Sequence, residues 1–244
     1  MPDYENVPHR VCAADVAGRW SFCDDGWLAS LTLEPGGQGS PTEVTGILHS
    51  ERFDDDYVVT GRVGVGGRRA VELTIHDYNW LDRQVFSGYL TTAGERSISG
   101  ASLWQGTPYG FFASRAARIL LGTYRDGPAT ASDFAGRWSA EVDGLAATVT
   151  IAAAADGESF SGTGALGPDR TPFRIDGHSI AGIPHGATLT FTHEDGTVRE
   201  GPGYLASRPK GVVCGWTARP SDQSDRSDQS DQSDQWGLVM VRSS

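Results

Sequence analysis

The sequence predicts an all-β fold built twice: two fused eight-stranded antiparallel up-and-down β-barrels that form an internal pseudo-dimer. Three observations predict it. The phrase DVAGRWS at Asp15–Ser21 returns as DFAGRWS at Asp133–Ser139. Short apolar runs alternate with polar residues at period two, as in Val71-Glu72-Leu73-Thr74-Ile75 and Ala187-Thr188-Leu189-Thr190-Phe191, which is the pattern of half-buried strands. Finally, 32 Gly and 12 Pro punctuate the chain, a density of turn residues that suits strands and tight hairpins better than long helices.

The repeat runs through each copy in order. Trp20 answers Trp138, LASLTL at Leu28–Leu33 answers LAATVTI at Leu145–Ile151, and GYL at Gly88–Leu90 recurs at Gly203–Leu205. YGFFASR at Tyr109–Arg115 answers WGLVMVR at Trp236–Arg242. Spacing drifts only where the sequence reads as loop. Each copy holds about eight strands, the number that closes a small barrel and removes exposed sheet edges. The expected boundaries are an N-terminal extension at 1–14, a first barrel at 15–116, a connector at 117–132 and a second barrel at 133–244. Inside the last hairpin, SDQSDRSDQSDQSDQ (221–235) lacks apolar residues. It cannot offset the entropy of ordering and is expected to be a mobile loop.

Composition narrows the partners. The net charge is -11, with no basic cluster to follow a phosphate backbone or an anionic membrane surface, so neither nucleic acid nor membrane is expected. No apolar run is long enough to span a bilayer, and MPDYENVPHR lacks the apolar core of a secretion signal. Cys12, Cys23 and Cys214 are odd in number and lack metal-ligand spacing, which predicts reduced thiols in a cytoplasmic protein. His178, His185 and His193 offer no short ligand pair, GRVGVGG (61–67) lacks the Lys-Ser/Thr ending of a phosphate loop, and Asp54, Asp55 and Asp56 read as a solvated turn. No cofactor is expected.

Across nearly its whole length the first copy resembles the avidin and streptavidin family. The residues carrying this are Gly18 and Trp20, Thr45-Gly46, YVVTGR (Tyr57–Arg62) and FSGY (Phe86–Tyr89). The wider calycin superfamily is also similar, and that resemblance implies Trp20 beneath Arg115 and Trp138 beneath Arg242, each pair plugging a barrel floor. GRW is then a structural closure written once per barrel. The family's biotin contacts mostly do not carry over. Phe22, Leu48 and Ile75 stand where it has Asn, Tyr and Trp, its Ser near Trp27 is absent, and only Ser50 matches. Biotin is therefore not the expected ligand, since each missing buried partner costs affinity.

The interior parity implied by the resemblance turns Val71, Leu73, Ile75, Gln84, Phe86, Ser102 and Trp104 into the first barrel, with Asp77 at its mouth and Tyr109 and Phe111 contributed by the last strand. Together with Phe22, Leu48 and Ser50 they line an aromatic, mostly apolar pocket for a hydrophobic small molecule. Trp104 is the expected wall, Tyr109 or Gln84 the orienting polar contact and Asp77 the acid. Three classes remain open. The preferred one is a cofactor-independent cyclase or isomerase that folds a reactive substrate for ring formation. The others are a carrier of such a molecule and an interaction module whose barrels are filled. The chain is expected to be a monomer with an internal pseudo-dimer, or a homodimer.

Overall fold

The computed structural model describes residues 10–37, 39–76, 83–91, 94, 96–115, 128–207, 211–218 and 235–243. Its strands close into two eight-stranded antiparallel barrels. The first runs β1 (Gly18–Asp24), β2 (Trp27–Pro35), β3 (Glu43–Ser50), β4 (Asp55–Val63), β5 (Ala70–His76), β6 (Arg83–Leu90), β7 (Ser97–Trp104) and β8 (Thr107–Ser114). The second repeats the order as β9 (Gly136–Val142), β10 (Leu145–Ala153), β11 (Ser159–Leu166), β12 (Thr171–Ser179), β13 (Gly186–His193), β14 (Val198–Leu205), β15 (Val212–Thr217) and β16 (Trp236–Arg242). First and last strands shut each barrel, with Phe22 opposite Ala113 in one and Ala140 opposite Met240 in the other. Alternation follows the sequence: Val71 and Leu73 are buried while Glu72 between them is exposed. No helix among the described residues is long and apolar enough to cross a membrane.

One local feature lies outside the all-strand expectation. A single helical turn opens each repeat, α1 (Ala13–Val16) and α2 (Ala131–Phe134). The Asp15 carboxylate accepts the Cys12 backbone N–H at 2.7 Å, and the Asp133 carboxylate accepts that of Thr130 at 2.8 Å. Each thereby satisfies a backbone donor at the start of its turn. Gly18 and Gly136 then take φ values of 116° and 127°, a conformation that strongly favours glycine. The next inward side chain is the tryptophan. Trp20 donates its indole N–H to the Val16 carbonyl at 2.9 Å, and Trp138 does the same to Phe134 at 2.8 Å. Arg115 lies 4.4 Å from the Trp20 ring centre and Arg242 the same distance from that of Trp138. Both guanidiniums also donate to carbonyls of the helical turn, at Asp15 and Ala17 and at Asp133 and Ala135. Of the six positions identical in the two phrases, floor closure thus accounts for the Asp, Ala, Gly and Trp, and nothing in the structure explains the repeated Arg (Arg19, Arg137) or Ser (Ser21, Ser139).

The one position that changes, Val16 to Phe134, has a partner change. Phe134 stacks on Phe160 with ring centres 4.7 Å apart. Strand register places Phe160 where the first barrel has the buried Val44. The floors are therefore filled by two valines in one copy and two phenylalanines in the other.

The barrels pack side by side through equivalent strands. β7 meets β15, β8 meets β14, and β6 meets β16, the reciprocal pattern of an isologous interface. Cys23 and Phe112 pack there against Ala206, Val212, Cys214 and Val239. The Ser99 hydroxyl donates to the Gly215 carbonyl at 3.0 Å. A side chain at Gly110 would press on the Tyr204 carbonyl, 2.9 Å away. Burial pushes the Cys23 thiol up to about 12 and the Cys214 thiol well above its ordinary value, so both are held as inert thiols.

Candidate functional site

Asp24 is the last residue of β1, and the hairpin that follows fixes its direction. Asp25 and Gly26 have φ values of 46° and 87°, the paired positive values of a type I′ turn. Because side chains alternate along a strand, Trp20, Phe22 and Asp24 share the inward face while Cys23 turns to the neighbouring barrel. In β9 the same position is Val142, so the carboxyl belongs to the first barrel only.

Two side chains hold that carboxyl. Ser102 on β7 donates its hydroxyl to one oxygen at 2.8 Å, and Gln84 on β6 donates its amide N–H to the other at 2.9 Å. Asp24 is partly buried and lines a cavity. Desolvation raises its pKa to about 7, against the lowering effect of the Ser102 and Gln84 hydrogen bonds and with a small push from Asp25. Such a carboxyl is shared between acid and base forms at neutral pH, the condition for reversible proton transfer.

The carboxyl faces a cavity of about 720 Å³ at the mouth of the first barrel, within the usual range for small-molecule sites. Its floor is aromatic. Phe22 lies 5.3 Å from Phe86 and 5.7 Å from Phe111, and Phe86 meets Phe111 edge-on at 5.2 Å. Phe22 and Phe86 line the cavity, and Phe111 packs against both. Among the residues the sequence offered, Phe22, Leu48, Ser50, Ile75, Gln84, Phe86, Trp104 and Tyr109 line it. Val71 and Leu73 do not, because they pack in the closed half below. Phe111 and Ser102 do not line it: Phe111 packs against Phe22 and Phe86, and Ser102 donates to Asp24. Trp104 is 50% exposed and forms the rim rather than an inner wall. Asp77 lies outside the described residues. Among the described residues Asp24 and Asp25 are the acids that line the cavity, and Asp24 is the one on the inward face of β1.

Several lining residues carried no local signal. Tyr57, Trp27, Arg52, Phe53 and Arg83 complete the walls and mouth. The Arg52 guanidinium sits 3.5 Å above the Trp27 ring centre and 4.8 Å from that of Phe53. His185 and Ser207 also line the cavity, and both come from the second barrel. Ser207 donates its backbone N–H to Asp25 at 2.6 Å and its hydroxyl to the other Asp25 oxygen. This ties the Asp24 hairpin to the neighbouring barrel.

Where the first barrel is open, the matching positions of the second carry larger side chains that pack on one another. Strand register matches Arg199 to Gln84, Phe191 to Ile75, Phe173 to Tyr57 and Trp236 to Tyr109. Phe173 packs 5.7 Å from Phe191. The buried Arg199 guanidinium lies 3.2 Å from the Trp236 ring centre. Desolvation lowers the pKa of His193 beside Trp236. Among the described residues no group of three or more His, Cys, Asp or Glu is placed to hold a metal ion. Comparison of the chain with family models, curated proteins and solved structures returns no match.

Proposed function

We propose that the first barrel binds an apolar small molecule and that Asp24 acts on it as general acid and base in a cofactor-independent isomerisation or ring closure. The observation that carries this reading is the Asp24 carboxyl, held by Ser102 and Gln84 with its pKa raised to about 7 by desolvation, at a mostly apolar cavity of about 720 Å³. In its ionised form Asp24 takes a proton from the substrate, and in its protonated form it returns one elsewhere, so the reaction is balanced without an external acid. Gln84 and Ser102 are positioning residues that fix both carboxyl oxygens. The Tyr109 hydroxyl is the group best suited to meet charge developing on the substrate. The aromatic floor holds the apolar body in one conformer and excludes water. The second barrel supports the first. The resemblance to avidin-like barrels fits this use, as a binding barrel whose biotin contacts are replaced by apolar residues and one acid.

A probe reaction tests the base without the natural substrate. 5-Nitrobenzisoxazole loses its C3 proton to a carboxylate while the ring N–O bond breaks, giving a coloured cyanophenolate. The rate per mole of protein should rise through an inflection near pH 7, where Asp24 ionises. Asp24→Asn should lower it by roughly 100-fold or more, the scale of general-base catalysis. Equal rates for the two proteins would remove the catalytic reading and leave a carrier.

A further inference from the structure

The charges around the cavity are arranged against the charge of the chain. The protein carries a net charge of -11, yet two arginines, Arg52 and Arg83, line the mouth of this one cavity. Neither has an ion-pair partner among the described residues. The Arg52 guanidinium packs on the Trp27 ring, with Phe53 beside it. Neither acid of the lining is ion-paired with these cations. Asp24 is engaged by Ser102 and Gln84 deeper in, and Asp25 by Ser207. In the second barrel the residue matching Gln84 is the buried Arg199, stacked on Trp236, so among the described residues the exposed arginines at a cavity belong to the first barrel.

We propose that the ligand of the first barrel is an amphipathic anion: an apolar body with one carboxylate-like group, bound with that group between Arg52 and Arg83 at the mouth. This rests on the reading of the cavity as a ligand site and adds the ligand's charge and direction. The anionic end stays at the solvent edge, where guanidinium groups bind oxyanions through paired donors. The apolar end reaches the aromatic floor. The atoms presented to Asp24 are therefore remote from the charged group, and two negative charges are not forced together.

Two fluorescent probes with a common skeleton separate the claims: neutral N-phenyl-1-naphthylamine and anionic 1-anilinonaphthalene-8-sulfonate. Arg83→Gln and Arg52→Gln should each weaken the sulfonate roughly 3- to 10-fold, the order expected for a partly exposed charge contact. Neutral probe affinity should be unchanged in Arg83→Gln. Raising salt toward ~1 M should weaken only the sulfonate. If both probes bind and neither arginine nor salt distinguishes them, the anionic assignment is overturned while the cavity stands as an apolar site. If neither probe binds the wild-type protein, the ligand-site reading fails as well.

Discussion

Asp24 shows how a single inward position separates two copies of one fold. Trp20, Phe22 and Asp24 follow one another on the same face of β1, whereas the second copy reads Trp138, Ala140 and Val142. The cost of the acid is a dependence of stability on pH. Below pH 4 the carboxyl is protonated in the folded and unfolded chains alike and costs nothing. Between pH 4 and about 7 the unfolded chain releases the proton and the folded chain retains it, so the penalty grows. Above about pH 7 both are ionised and the penalty is constant. Asp24→Asn should therefore unfold at higher denaturant than wild type at pH 8, by roughly 2–4 kcal/mol, and equal wild type near pH 4. Chemical denaturation at the two pH values checks this, and a constant difference between them would mean that Asp24 titrates normally. The residue was legible only in part. DDGW reads as a hairpin turn, which disguises the first Asp as a turn residue when it is the last strand position. The contrast with Val142 was the available signal. Its donors Ser102 and Gln84 lie far along the chain, and no local pattern joins them to it.

At the scale of elements, strand identity was written in the sequence because each strand buries one face, and burial imposes period two. The two helical turns were not legible, since four residues cannot display a helical period. They matter because they supply the carbonyls that receive both the indole and the guanidinium. The tryptophan is thus bound by packing, by its own N–H and by an arginine that also ties the turn in place. Trp20→Ala and Trp138→Ala should each destabilise the protein by about 3–5 kcal/mol, the range for removing a buried indole. Thermal or denaturant unfolding measures the loss. A change below about 1 kcal/mol for Trp20 would show that the floor is closed by other contacts. The connector and the SDQSDRSDQSDQSDQ tract lie largely outside the described residues, and Gln235 is the one residue of that tract with a described position.

Over the whole molecule, duplication is combined with divergence of the residues inside the two barrels. Equivalent strands meet across the interface, yet the contents of the two barrels differ. Phe173 packs on Phe191 and Arg199 on Trp236 in the second barrel, while the matching Tyr57, Ile75, Gln84 and Tyr109 stand round a cavity in the first. The pairing of barrels was legible from the repeat, because two copies of one sequence form two copies of one fold. That His185 and Ser207 reach the mouth of the other barrel was not, because docking depends on surfaces and leaves no periodicity in the chain. The most direct test of this arrangement is the number of N-phenyl-1-naphthylamine molecules bound per chain at saturation. One open barrel and one filled barrel predict a single site, displaced by cavity-filling Leu48→Trp. Two equivalent sites would contradict the division between the barrels, and no site would contradict the cavity itself.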